Sequence, residues 1–297
     1  RAGAEVDTDI PDRKKDGYGL NEDLVKRAYD AGVDTIVTCD NGIAAVKEIA
    51  YAKSLGMTVI ITDHHELQEE IPPADVEVNP HQKNCPYPYK NLCGAGVAWK
   101  LVSALWEQLG VPEQELYEDL LLFAGFATVG DVMDLTGENR ILVKEALKLL
   151  KTTTHPGISA LIEVNEISRE TISAFHIGFV LGPCINASGR LDTAKRALEL
   201  LKTTDYEKAL VKAAELKALN DERKSMTDDG VQQALDQIEN SDMKGDRVLV
   251  IYLPDCHESL AGIIAGRIRE RYYRPVFVLT RSQDGVKGSG RSIETYS

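Results

Sequence analysis

The feature that most constrains the fold is a strand–helix–strand pattern in the first half of the chain. Thr35–Cys39 and Thr58–Thr62 are short apolar runs rich in β-branched residues, which is typical of buried strands. Between them, Ala44–Leu55 has apolar residues at helical spacing and ends before Gly56, a residue common at helix C-termini. A βαβ unit of this kind requires parallel strands and a right-handed crossover. The sequence therefore predicts an α/β fold with a parallel sheet.

The remainder predicts more helices and then a second, smaller α/β unit. A short strand near Val76–Val78 precedes apolar helices at Gly96–Leu109, Leu116–Val129 and Asn139–Leu150, and one or two more helices within Ile158–Phe179. The long, charged segment Thr193–Asn240 is typical of a helical connector. A strand, a helix and a strand follow at Val248–Leu253, Ala261–Tyr273 and Pro275–Leu279. We expect a domain over residues 1–192, a connector over 193–240 and a smaller domain over 241–297.

Composition limits the compartment and the partners. Residues 1–16 are polar and charged, and no run approaches the ~18 apolar residues of a membrane helix, so we expect no signal peptide, no membrane contact and a cytoplasmic location. Five scattered cysteines argue against a disulfide framework. The net charge of -13 gives no support to nucleic-acid binding, although an acidic protein can still contain a local basic cleft.

Acids and imidazoles follow the ends of predicted elements in three places. Asp40 comes directly after one predicted strand, and Asp63-His64-His65 after the next; Asp131 ends an apolar run. In open parallel sheets, ligands bind at the carboxyl ends of strands. Carboxylate and imidazole ligands together suit Mn²⁺, Mg²⁺, iron or Zn²⁺. A single strand-end Asp is more often a cap or a turn residue, but the combination favours a metal site.

This set resembles the DHH phosphoesterase family, whose name-giving motif matches Asp63-His64-His65, and in particular its RecJ-type members. Further similar segments occur in the family's order along nearly the whole chain: Pro11–Arg13, Gly17–Leu20, Asp40–Ile43, Gly94–Ala98, Gly130–Leu135, Asn186–Leu191, His257-Glu258, Gly262–Arg267 and Gly288–Ser292. The resemblance implies a parallel-sheet DHH domain joined by the helical connector to a smaller α/β domain of the DHHA1 type.

The resemblance also implies roles for individual residues. Asp40 would bridge two Mn²⁺ or Mg²⁺ ions, His64 and Asp131 would ligate one of them, and Asp63 would orient the site. His65 would face the scissile phosphate. Substrate phosphates would be held by Arg13, Asn186, Arg190, Ser289 and Arg291.

Several of these residues have plainer interpretations. Arg13 lies in a charged run, and Arg190 could be a surface residue at a helix start. Gly288–Gly290 could form a flexible turn, and His257 could begin a helix at Ser259.

The function implied by the resemblance is 5′→3′ hydrolysis of single-stranded DNA in recombination and repair, in a narrow cleft that excludes a duplex. One alternative is a phosphodiesterase for short oligonucleotides or cyclic dinucleotides. Another is a binding or scaffold protein without catalytic activity. The expected partner is single-stranded DNA, and the candidate protein partners are repair proteins and single-strand-binding proteins.

The printed residues depart from the family pattern at both ends. The first, aspartate-rich motif would lie before Arg1, and a glycine-histidine segment would lie after Ser297. We therefore expect residues 1–297 alone to form one weakened metal site, to bind Mn²⁺ poorly and to hydrolyse little or no DNA.

Overall fold

The computed structural model describes residues 3–11, 19–110, 114–282 and 285–296, with the side chains of 114–119 also outside the description. The chain divides into two compact units. Unit 1 comprises Arg1–Ile185 and Ala194–Ala214, and unit 2 comprises Asn186–Thr193 and Glu215–Ser297. These limits differ from the predicted boundaries at 192 and 240, so the division into family domains stays a prediction.

Unit 1 contains the predicted parallel sheet. Strand β2 (Thr58–Thr62) lies between β1 (Thr35–Val37) and β3 (Val76–Val78), and both pairings are parallel. Helices α1 (Glu22–Asp30) and α2 (Val46–Ser54) pack against it. Alternate residues of β2 are fully buried, and they form one apolar cluster with Val25, Ile49, Ala52 and Met57. The burial of this apolar face fixes the register, because a one-residue slip would turn it toward solvent.

The rest of unit 1 is helical, as predicted. Its helices are α3 (Gly94–Leu109), α4 (Gln114–Gly130), α5 (Gly137–Thr152), α6 (Pro156–Val164) and α7 (Ala174–His176). A π-helical turn, Ile177–Leu181, joins α7 to α8 (Gly182–Leu191). Helices α9 (Lys195–Lys202) and α10 (Tyr206–Glu239) confirm the helical character of the predicted connector.

Unit 2 has a three-stranded mixed sheet. Strand β5 (Val276–Ser282) pairs in parallel with β4 (Leu249–Tyr252) and antiparallel with β6 (Gly285–Arg291). Helix α11 (Ala261–Tyr272) covers one face, preceded by short 3₁₀ turns at Asp242–Gly245 and Glu258–Leu260. Within the described residues, no helix combines the length and the apolar character that crossing a membrane requires.

Strand β6 corrects one interpretation of the sequence, because Gly288–Gly290 lies within this strand and does not form a flexible turn. Glycine has low strand propensity, so local sequence is a poor guide to this strand. A Cβ at Gly288 would lie 2.4 Å from the side chain of Leu279, and a Cβ at Gly290 would lie 2.7 Å from the side chain of Phe277. Neighbouring side chains on β5 thus occupy the space above these glycines.

Gly125 lets α4 and α5 pack closely. A Cβ at this position would lie 2.3 Å from the Cβ of Ala146 and 2.6 Å from the carbonyl oxygen of Leu142. Because one of these atoms belongs to the backbone, the helices would have to move apart to accept a side chain.

We expect Gly125→Ala to lower the free energy of unfolding by about 1–3 kcal/mol, as overpacking of a core contact does. The matched control is Gly130→Ala on the same helix, where a Cβ would meet no atom within 4 Å. It should be neutral or slightly stabilising. Thermal unfolding of both variants measures the difference, and equal melting temperatures would contradict the packing argument.

Candidate metal centre

Hydrogen bonds between β1 and β2 continue beyond the end of β1 and bring Asp40 to the sheet edge. The N–H of Thr38 donates to Ile60 O at 2.9 Å, and the N–H of Asp40 donates to Thr62 O at 3.0 Å. Thr38 and Thr62 are buried, and the Thr62 hydroxyl donates to Thr38 O at 2.7 Å. Asp40 and Asp63 therefore lie at the carboxyl ends of adjacent parallel strands, as predicted.

A glycine at the start of α3 makes room for Asp40. A Cβ at Gly94 would lie 2.4 Å from Asp40 Oδ1 and 2.5 Å from Asp40 Cβ. Asp40 itself has a left-handed backbone, with φ of 62°, which is uncommon for a residue with a side chain. Strained backbone of this kind is frequent at functional sites. The Asp40 carboxylate can thus occupy its position only because residue 94 is a glycine and has no Cβ.

The carboxylate of Asp63 is buried, with only 1% of the residue exposed, and it accepts four hydrogen bonds. The N–H of Ile43 donates to Oδ2 at 3.0 Å, while Oδ1 accepts from the N–H groups of His64 and His65 at 2.8 and 3.2 Å. Nδ1 of His65 lies 2.6 Å from the same Oδ1. Burial by itself would raise the pKa of Asp63, but these hydrogen bonds lower it below its usual value. Asp63 is therefore an ionised anchor for the following loop.

His64 lies between two carboxylates. Its Nε2 is 3.0 Å from Asp40 Oδ1 and 3.5 Å from Asp131 Oδ2. The hydrogen bond to Asp40 is the main cause that raises the pKa of His64. Burial, together with the negative charge of Asp40, raises the pKa of Asp131. A divalent cation would offset this repulsion between the carboxylates, and its binding would displace the His64 proton.

Asp131 reaches the cluster from the end of α4. Its N–H donates to Ala127 O at 2.8 Å, which continues the helical hydrogen bonding past Gly130. The next residue, Val132, has a φ of 58° and turns the chain away from the helix. The structure therefore brings together the three residues predicted as metal ligands, Asp40, His64 and Asp131.

His65 also belongs to this cluster. Ligand atoms of Asp40, His64 and His65 all lie within 4.8 Å of one another, and the two imidazole rings have centroids 4.6 Å apart. Because Nδ1 of His65 pairs with Asp63, Nε2 is the ring nitrogen that can contact a cation or a phosphate oxygen. Carboxylate oxygens and imidazole nitrogens suit Mn²⁺, so the donor set fits the predicted metal.

The role of Asn79 was not predicted from the sequence. This residue is buried at the end of β3, where its amide donates to His65 O at 3.0 Å and its Oδ1 accepts from His81 N at 2.8 Å. Asn79 thereby fixes the backbone that carries His65. Its position directly after a predicted strand, like that of Asp40 and Asp63, was the signal that could have indicated it.

The predicted phosphate-binding residues, apart from Arg13, belong to unit 2; Arg13 lies outside the described residues. Ser289 and Arg291 are neighbours on β6, and Arg291 Nη1 donates to Ser289 Oγ at 3.1 Å. A Cβ at Gly262 in the first turn of α11 would lie 2.8 Å from Arg291 Nη2 and 2.9 Å from Ser289 Oγ. The structure thus brings Ser289 and Arg291 together beside the start of α11.

Arg190 lies in the last turn of α8, which corrects the interpretation as a residue at a helix start. Its Nη1 donates to Ser259 O at 3.1 Å. Asn186 lies one turn earlier on the same helix. His257 caps the 3₁₀ turn by accepting from the N–H of Ser259 at 3.3 Å, which confirms that it begins a helical segment.

The chain is similar to known proteins in both sequence and structure. Residues 1–125 match the N-terminal domain of the DHH family. The crystal structure of exonuclease RecJ bound to manganese is similar with a TM-score of 0.86 and 35% identity, over 99% of this chain and 72% of that one. The chain therefore belongs to the DHH family.

Within that family, the chain is similar to RecJ proteins. The single-stranded-DNA-specific exonuclease RecJ of Salmonella typhimurium is 38% identical over 299 residues, which cover 96% of this chain and 52% of that relative. The crystal structure of RecJ from Thermus thermophilus in complex with Mn²⁺ has a TM-score of 0.79 and 33% identity, over 92% of this chain and 39% of that one. The chain thus spans about half the length of the first curated relatives that it matches.

We expect Gly94→Ala to displace the Asp40 carboxylate and to weaken Mn²⁺ binding about 10- to 100-fold, as loss of ligand orientation does at other metal sites. Gly96→Ala is the matched control on the same helix, because its Cβ would lie at an ordinary 3.5 Å from Leu92 Cβ. Titration calorimetry with Mn²⁺ compares the variants, and circular dichroism checks that both fold. Equal affinities would show that Gly94 does not position Asp40.

Proposed function

We propose that this chain carries the metal centre of a Mn²⁺- or Mg²⁺-dependent exonuclease that hydrolyses single-stranded DNA in the 5′→3′ direction during recombination and repair. The observation that carries the proposal is the cluster of Asp40, His64, His65 and Asp131 at the carboxyl end of a parallel sheet. The similarity to RecJ supports the choice of substrate, and the polarity and the cellular process rest on that resemblance alone.

Asp40, His64 and Asp131 would hold the cation, since their side chains converge from three different elements. When bound, such an ion would polarise a phosphoryl oxygen and lower the pKa of a coordinated water molecule. Asp63 orients His65 through the hydrogen bond to Nδ1, which leaves Nε2 for a contact with the scissile phosphate. Asp63 and His65 are thereby held by their mutual hydrogen bond and Asp40 by the edge of the sheet, while Asp131 is held at the end of α4.

Phosphates of the strand would be bound by unit 2, with Arg190, Ser289 and Arg291 as donors and Asn186 one turn from Arg190 on α8. The guanidinium group suits phosphate because its planar N–H donors bind two oxygens at once. Gly262 supports this proposal, because its missing side chain leaves room for both Ser289 and Arg291. Such local cations would be required in a chain with a net charge of -13. Arg13 stays a further candidate from the sequence, and a cytoplasmic location is part of the proposal.

The proposal is tested by digesting 5′-labelled single-stranded DNA, the same DNA as a duplex, and a dinucleotide with the natural full-length protein in Mn²⁺. We expect mononucleotides to be released stepwise from the 5′ end of the single strand alone. Cleavage confined to the dinucleotide would move the protein to the class of small-substrate phosphodiesterases. Binding without cleavage would favour a scaffold protein.

Asp131→Asn should lower the rate on single-stranded DNA about 100-fold or more, because an amide is a weaker ligand and leaves the His64 imidazole without one of its carboxylate neighbours. Asp30→Asn is a control that removes one negative charge from the surface of α1, where Asp30 pairs with Lys26. This control should keep the wild-type rate. An Asp131→Asn variant that retained wild-type activity would exclude Asp131 as a ligand.

A further inference from the structure

Two phenylalanine rings are stacked on the surface of unit 1, although buried sites are the usual place for this residue. Phe175 and Phe179 are 61% and 69% exposed, and their ring centroids are 5.0 Å apart with an interplanar angle of 26°. The whole chain has only five phenylalanines, and two of them form this exposed pair. An exposed aromatic pair of this kind requires an explanation beyond packing.

Both rings are carried by helical backbone. Ser173 and His176 form a capping box that fixes the start of α7, with His176 Nδ1 accepting from the N–H of Ser173 at 3.2 Å. Phe179 lies in the π-helical turn, a rare feature that is frequent at functional sites. A Cβ at Gly182 would lie 2.8 Å from Ile177 O, so the glycine allows this turn to form. Phe175 thus lies in a capped helix, and Phe179 lies in the π-helical turn that follows it.

The turn between the two rings packs against the helix that leads to Asp131. A Cβ at Gly178, between the two phenylalanines, would be in van der Waals contact with Val129 Cγ1 at 3.6 Å. Val129 precedes Asp131 by two residues in the last turn of α4, and Asp131 is 3.5 Å from His64. The π-helical turn that carries Phe179 therefore contacts the helix end that supplies a predicted metal ligand.

We propose that Phe175 and Phe179 form a stacking platform for bases of the single-stranded DNA, an inference that rests on the proposed function. Planar rings stack on bases of any sequence, which suits an enzyme that must process every nucleotide. The two rings are the exposed apolar groups of this segment, because Gly178 and Val180 next to them in sequence are half-buried, and Glu170 and Thr171 earlier in the chain are exposed polar residues. A stable protein interface would need about 800 Å² on each partner, so a nucleobase fits the patch better than a protein does.

The test measures binding separately from cleavage. Fluorescence anisotropy of the full-length protein without added divalent cation compares a labelled oligothymidylate with an abasic strand of the same length. The double variant Phe175→Leu/Phe179→Leu should bind the oligothymidylate about tenfold or more weakly, since each base stack contributes on the order of a tenfold change in affinity. Its affinity for the abasic strand should not change.

Two controls make the result specific. Phe175→Tyr/Phe179→Tyr keeps both rings and should retain wild-type affinity. Tyr29→Leu removes another exposed ring of unit 1, on α1, and should also leave affinity unchanged. Circular dichroism and Mn²⁺ titration show whether the double leucine variant keeps its fold and its metal site.

The outcomes separate the two proposals. If the leucine variant loses affinity equally for both strands, or for neither, the stacking platform is overturned. The platform is also overturned if the wild type binds neither strand. If the wild type binds the oligothymidylate through these rings but does not cleave DNA in Mn²⁺, the platform stands and the exonuclease proposal fails.

Discussion

The arrangement of the site depends on the hydrogen bonds that the buried carboxylate of Asp63 accepts. An ionised group in this position is tolerated only because three N–H groups and one imidazole donate to it. These donors come from two separate loops, so one carboxylate ties the loop after Asp40 to the loop of the two histidines. If this hydrogen bonding were lost, a charge would remain without partners inside the protein, and both loops would lose their common anchor.

Close packing at two glycines also positions the ligands of the site. Gly94 lets the first turn of α3 approach Asp40, and Gly125 lets α4 pack against α5 while α4 carries Asp131 at its end. The cluster is therefore assembled from a sheet edge and a helix end whose positions depend on the absence of two side chains. The repulsion between the carboxylates that meet at His64 is a cost of this arrangement, and a bound cation would offset it.

Much of this could be predicted from the sequence, because short β-branched runs and helical periodicity are local signals. Strands β2 and β3 have the predicted bounds, and Asp40, His64 and Asp131 come together as predicted. The glycine-rich strand β6 was not predicted, because it forms by pairing with β5 and its own residues have low strand propensity. The π-helical turn was not predicted either, because apolar periodicity does not distinguish one π turn from a continuing α-helix. The role of Asn79 was missed because its hydrogen bond joins it to His65, 14 residues away in sequence.

The central claim is that Asp40, His64 and Asp131 jointly bind one divalent cation. Crystals of the full-length protein soaked in Mn²⁺, measured at the manganese absorption edge, test it most directly. We expect an anomalous peak within bonding distance of Asp40, His64 Nε2 and Asp131, with His64 no longer donating to either carboxylate. A site with no manganese peak near these atoms, while the rest of the protein keeps its structure, would show that these three residues do not bind a cation together.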